Sequence, residues 1–464
     1  MFPPIALGVI MATLDASVVN IALPTLARTF AAPLVTVEWV ALGYSVVLTG
    51  LLLAAGRLAD LRGRRAVYGR GLALFTLASA LCGLAPGIGA LIGLRLLQGV
   101  GAALVAANGS ALLVAAFPLA ERGRALGAFG AMVGVGLAVG PPLGGLVIAH
   151  ASWRWIFLIN VPLGALAMAL LPRRVPADRV PPGQPAMDVG PPLLWSAGLA
   201  GLMLVLSRGP AIGWAHPLVL LLAVLAAAAI VTFLAHERRA RAPLLPLDLL
   251  VGPLGVAVSL TFLGQLLSVG VGFHLPFYLE EVGGLSAAAT GAWLAVLPGA
   301  ALVCAPIAGR LADAVGARPL LVAGMGLTAL GVWLLAQLEA RPSPLLLASG
   351  LALVGLGQGL FTVPNASALL SLVPHEKLGF ASGLQGTTRN LGIASGLAVT
   401  GALVASRYQS HGASALHVGG SGPVDQVAFV AATRDAFSVL TAIALAATAL
   451  AWAQRLPPRG RTAH

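Results

Sequence analysis

Charge is scarce in this chain. Only 9% of its 464 residues are Asp, Glu, Lys or Arg, against roughly a quarter in a soluble domain, and mean hydropathy is +0.95. That shortage excludes an ordinary water-soluble fold. Cysteine is nearly absent: Cys82 and Cys304 both fall inside apolar segments, which excludes a disulfide framework. Acidic residues number 15, and no His, Asp, Glu and Cys cluster gathers at one depth, so nothing points to an enzyme or a metal centre. The start has neither a basic n-region nor an A-x-A site, so its first apolar segment is expected to be retained.

What is present is apolar and long. Hydrophobic residues make up 58% of the chain, with 58 glycines, in runs of about 20 residues or more. That is helix length across a bilayer, whereas barrel strands alternate in about ten. Fourteen such segments can be counted, the first near 5–27 and an unpaired couple near 190–207 and 217–235. The net charge of +12 would suggest nucleic acid in a soluble protein. Here most of the 27 Lys and Arg fall at alternate turns, which places both termini in the cytoplasm by the positive-inside rule. Their expected partner is anionic lipid, not nucleic acid.

The segments form a duplication. GRLADLRGRR (Gly56 to Arg65) recurs 253 positions later as GRLADAVGAR (Gly309 to Arg318) with seven of ten residues identical. Gln98-Gly99 matches Gln358-Gly359, and Pro118, Gly123, Ala125, Gly127 and Gly130 match Pro374, Gly379, Ala381, Gly383 and Gly386. Such repeats are typical of solute carriers. The expected units are a six-helix bundle over 1–171, a cytoplasmic linker with two inserted helices and a return loop over 172–249, a second six-helix bundle over 250–455 and a tail over 456–464.

Particular residues carry the chemistry. Asp15 is the one acid expected deep in an apolar segment, ten residues or about 15 Å in. An ionised carboxylate there costs at least ~3 kcal/mol, so it should face a cavity or a partner. Apolar surroundings make a carboxylate hold its proton more tightly and a neighbouring arginine makes it hold less. The residue therefore reads either as a proton-coupling group or as a permanent tie between helices. Arg95 and Arg389 are the two embedded cations, and Gln98 and Gly99 share a face with Arg95. Arg389 reads equally as a coupling cation or as a donor to carbonyls. In the duplicated turns, Gly56 would allow close helix approach, Gly63 the turn itself, and Asp60 would accept backbone or arginine donors. Arg64 and Arg65 would hold the turn in the cytoplasm, while the second copy keeps Asp313 and Arg318. Gly140, Pro141, Pro142, Gly144 and Gly145 suggest a smooth, kinked helix packed on the opposite half. Trp153 and Trp155 read as an interfacial belt, and Glu280 and Glu281 as rim charges. Gln98, Phe262, Gln265, Phe273, His274, Gln358 and Asn365 are the expected lining of a substrate cavity.

LDASVVNIALP (Leu14 to Pro24), GRLADLRGRR, LRLLQGVGAA (Leu94 to Ala103) and GLAVGPPLGG (Gly136 to Gly145) resemble signatures of the major facilitator superfamily. WRWIFLINVPLG (Trp153 to Gly164) and ASGLQGTTRNLG (Ala381 to Gly392) resemble its fourteen-helix drug:proton antiporter branch. The resemblance covers essentially the whole chain. It implies an all-α integral membrane fold in a bacterial inner membrane and alternating access between two bundles. It also implies export of hydrophobic or amphiphilic compounds driven by the proton-motive force, with no cofactor and a working monomer. In that pattern Asp15, Arg95 and Arg389 would couple protons, and the turns and the Gly-Pro-Pro segment would gate. Export of an endogenous antibiotic, lipid or siderophore is the alternative, and proton-coupled import a lesser one.

Overall fold

The computed structural model describes residues 2–115, 122–176, 190–240, 252–341, 343–373, 378–411 and 425–454. All the regular structure in them is helical, and fourteen helices are long and apolar enough to cross a membrane. In chain order these are α1 (Phe2–Phe30), α2 (Trp39–Arg62), α3 (Arg64–Gly83), α4 (Ile88–Ala115), α5 (Arg122–His150), α6 (Asn160–Arg174) and α7 (Gly190–Ile212). There follow α8 (Pro217–Arg239), α9 (Pro253–Phe277), α10 (Ala287–Leu294 and Val296–Val315), α11 (Ala317–Leu335), α12 (Pro344–Ser371), α13 (Leu378–Ser410) and α14 (Gln426–Ala453). Residues 177–189, 241–251, 412–424 and 455–464 lie outside the described residues, as do Pro118 and Pro374.

The duplication in sequence is a duplication in shape. Gly63 joins α2 to α3 with φ 91°, and Gly316 joins α10 to α11 with φ 87°. Only glycine adopts that conformation without strain, which explains why both copies keep it. A Cβ on Gly99 of α4 would lie 2.8 Å from the Tyr44 carbonyl of α2, and one on its repeat mate Gly359 of α12 would lie 2.8 Å from the Ala301 carbonyl of α10. Each half therefore locks its second and fourth helices through the same small residue.

With the arginine-rich turns taken as cytoplasmic, the two halves meet mainly on the outer side. The largest buried cluster joins Val19, Leu23 and Phe157 of the first half to Phe273, Phe277, Leu294 and Leu397 of the second. Toward the cytoplasm the cores separate. One holds Ile5, Tyr68, Phe75 and Leu171 from the first half alone, and two others hold Leu260, Met325 and Phe361, and Leu254 and Leu369, from the second. Gly145 of α5 faces the Ala287 carbonyl of α10, and Gly291 of α10 faces the Pro141 carbonyl of α5, each too close for a Cβ. Arg28 at the end of α1 pairs with Glu280 and, at 3.0 Å, with Glu281 in the π-helical turn after α9. The described residues thus form an outward-closed, inward-parted arrangement.

The inserted pair is asymmetric. α7 packs on α2 and on α13, one from each half, while α8 packs chiefly on α7. Leu220, Leu221, Val224, Leu225 and Val231 of α8 stay exposed, a face suited to lipid. The expectations for Trp153 and Gly56 require correction. Trp153 is buried against Phe30 and Phe157, leaving Trp155 as the exposed belt residue, and a Cβ on Gly56 would meet nothing within 4 Å.

Replacing Gly145 with Leu should prevent closure of the outer side. In a cysteine-free background carrying Ser286→Cys, the G145L variant is expected to react severalfold faster with a membrane-impermeant maleimide. Unchanged labelling would show that the α5–α10 contact does not hold the outer side shut.

Candidate functional site

The polar centre of the first half is built on α1, α4 and α6. Asp15 lies mid-way along α1 and its side chain is fully shut from solvent. Arg95 of α4 donates to its Oδ2 at 2.6 Å. Gln98, one turn further along α4, donates to Oδ1 at 3.0 Å, and Asn160 at the start of α6 donates to the same oxygen at 2.9 Å. The guanidinium is held in turn. It donates to the Val40 carbonyl at 2.8 Å and to Gln98 Oε1 at 2.7 Å, and its carbon lies 4.2 Å from the centre of the Tyr44 ring. Ser79 of α3 accepts from Asn160 at 3.0 Å and donates to the Phe157 carbonyl at 2.8 Å. A buried ion pair persists only when such bonds replace lost hydration. Here both carboxylate oxygens are occupied.

From this centre a continuous set of contacts leads to the other half. α1 lies along α5, with Thr13 over Gly136 and Ser17 over Gly140, and Ser17 donates to the Leu137 carbonyl at 3.3 Å. The same α5 carries Pro141 and Gly145 against α10, and α1 ends at the Arg28 ion pairs. A second buried carboxylate, Glu38, sits just before α2 at 2% exposure. It accepts a hydrogen bond from Ser207 of α7, to which Trp39 also donates at 2.9 Å, and it faces Gly401 of α13. Glu38 therefore joins the first half, the inserted helices and the second half at one point.

A sequence model described as Major Facilitator Superfamily matches residues 5–300 and 254–463. The chain belongs to the major facilitator superfamily. Among superfamily relatives, it is 35% identical over 402 residues to the Multidrug resistance protein Stp of Mycobacterium tuberculosis, covering 86% of this chain and 74% of that one. It is 34% identical over 407 residues to the Tetracenomycin C resistance and export protein of Streptomyces glaucescens, covering 87% and 75%. In fold it matches a bacterial homologue of the human lysosomal transporter Spinster in an inward-facing, unoccupied conformation. That match has a TM-score of 0.68 at 14% identity, over 97% of this chain and 95% of that one.

The facilitator fold redistributes the expected site residues. Asp15, Arg95 and Gln98 come together, so Gln98 belongs to the ion-pair centre and not to a cavity wall. Gln358 donates to the Gly264 carbonyl at 3.1 Å, and Asn365 to the Ala257 carbonyl at 3.1 Å and Thr261 at 2.8 Å. They tie α12 to α9. His274 is buried, 2.8 Å from Thr433 Oγ1 and stacked on Phe429, and Phe273 is buried beside Gly401. Of the expected cavity lining, only Phe262 and Gln265 keep accessible surface. Glu280 is buried and paired across the halves, which corrects its reading as a rim charge, and Asp15 is not the only buried acid. Arg318 donates to the Trp452 carbonyl within its own half, so it spans no gap between halves here. Arg64 and Arg65 open α3. The side chains of Asp60 and Asp313 lie outside the described ones. Gly140 and Gly144 fit α1, while Pro141 and Gly145 meet the opposite half; α5 runs as one helix through Pro141 and Pro142.

Asn160, Ser79 and Glu38 were not singled out from sequence. Asn160 stands within WRWIFLINVPLG, so the signal was present there as one polar residue in an apolar run. Glu38 abuts the second apolar segment and reads as a rim acid until α7 is seen to cover it.

Arg95→Gln should destabilise the fold by ~3–5 kcal/mol, because it leaves a buried carboxylate unpaired. The double variant Asp15→Asn, Arg95→Gln should recover much of the loss. Thermal melting in detergent checks this, and equal losses for the single and double variants would contradict it.

Proposed function

We propose that the chain is a proton-driven exporter of small amphiphilic molecules across the bacterial inner membrane. Superfamily membership makes it a transporter of small molecules rather than an enzyme. The observation that carries the coupling is the sealed Asp15–Arg95 pair and its mechanical connection to the outer contacts through α1 and α5. Asp15 takes up a proton in the outward-facing state and releases it in the inward-facing one. With Asp15 ionised, Arg95, Gln98 and Asn160 hold α1 against α4 and α6. A bound proton cancels the charge that Arg95 answers and loosens α1. Since Thr13 and Ser17 sit in notches of α5, a shift of α1 moves α5, and with it the Pro141 and Gly145 contacts to α10. The Arg28 pairs and the Glu38 junction open and close as the halves rock, and the turns at Gly63 and Gly316 serve as the opposite pivots.

The driving force is sufficient. One proton crossing 100 mV supplies ~2.3 kcal/mol, and half a pH unit adds ~0.7 kcal/mol. Together they sustain a gradient of about a hundredfold for a neutral solute. Resistance and export in the relatives' names support the outward direction. The tetracenomycin relative also supports a second reading, export of an endogenous product of the producing cell.

Inverted vesicles loaded with the purified protein distinguish these readings from import. Adding a transported dye should discharge an imposed pH gradient, and Asp15→Asn should abolish that response together with uphill dye movement while leaving dye binding within about threefold. Full uphill extrusion by D15N would overturn the proposal.

A further inference from the structure

The two embedded arginines are treated very differently by the fold. Arg95 is neutralised by Asp15. Arg389 of α13 has no carboxylate within ion-pair distance among the described residues, and its Nε is buried with no hydrogen-bond partner. It is not a copy of Arg95 either. The repeat offset of 256 that aligns Gly386 with Gly130 places Val133 opposite Arg389, so the cation is an addition to one half alone.

α13 is flanked by α2, α7, α9, α12 and α14, yet Arg389 and Gln385, one turn earlier, both keep partial exposure. One turn later, Gly392 brings α13 against α9, where a Cβ would lie 2.5 Å from the Phe262 carbonyl and 2.9 Å from Gln265 Cβ. Phe262 and Gln265 are the two expected lining residues that remain accessible. Gly386 looks across at Leu52 of α2, 3.9 Å from where its Cβ would stand. Arg389 and Phe262 lie about 14–17 Å from the cytoplasmic starts of their helices.

A cation held at that depth without a counter-charge is costly, and a ligand that brings the missing charge recovers the cost on binding. We propose that Arg389, with Gln265 and Gln385 as amide donors and Phe262 as an apolar wall, is the binding site for an acidic amphiphile carrying one negative charge, such as a carboxylate. A guanidinium matches a carboxylate in shape as well as in charge. The proposal deepens the transport reading by naming the substrate class. It also suits the driving force, because an anion leaving as a proton enters moves two charges down the membrane potential.

The test compares 12-(dansylamino)dodecanoic acid with its uncharged methyl ester on the full-length protein in lipid nanodiscs, with protein-free discs subtracted. The wild type should bind the acid at least tenfold more tightly than the ester. Arg389→Gln should weaken acid binding by about 30-fold and leave the ester unchanged, and Arg389→Lys should keep part of the preference. Retained ester binding by R389Q reports that it is folded. Equal binding of acid and ester by the wild type, binding of neither, or an undiminished acid preference in R389Q would overturn the assignment. Asp15→Asn should keep the acid preference while losing proton-driven movement. An acid preference in a wild type that shows no proton coupling would therefore sink the proposed function and leave this site standing.

Discussion

Asp15 and Arg95 meet at 2.6 Å with both side chains closed off from water, and the first half of the molecule is arranged around keeping them so. Neither charge could be afforded alone at that depth. Both carboxylate oxygens and the guanidinium are met by further groups: Gln98 beside Arg95, Asn160 from α6, the Val40 carbonyl and the Tyr44 ring from α2. Such an arrangement is cooperative. Changing the charge on one oxygen would alter the demands on four helices at once, and in the proposed mechanism that is how a proton biases a large motion.

The motion itself is limited by shape. On the outer side the halves share one core and approach through glycines that no side chain could replace, while on the cytoplasmic side each half keeps its own core. The inserted helices enter the same scheme through α7, whose Ser207 reaches Glu38 at the seam between halves. Charge is divided unevenly: the first half carries a neutralised pair, the second an unneutralised arginine. In the proposed mechanism this division would separate a proton-sensitive element from a substrate-binding one.

Much of this was legible in the sequence, for definite reasons. Spanning helices announce themselves by length and apolarity, and the repeated GRLAD turn survives because Gly63 and Gly316 both need positive φ. Asp15 and Arg95 stand out because charge inside an apolar run has few excuses. The cavity lining was poorly legible. Gln358, Asn365 and His274 look like wall residues from composition, but a polar group on a buried helix can as easily bond a neighbouring helix, and these do. Glu38, Asn160 and the Arg28–Glu280 pair depend on partners far away in sequence (residues 207, 15 and 280), and no local pattern carries that information.

The proposed mechanism ties the ionisation of Asp15 to the closure of the outer side through α1 and α5. Spin labels at His150→Cys and Ser286→Cys, in a background without Cys82 and Cys304, report that separation directly by pulsed electron–electron resonance. The distance distribution should change with pH in the wild type and stay insensitive to pH in Asp15→Asn. A D15N protein whose outer distances follow pH as the wild type's do would contradict it.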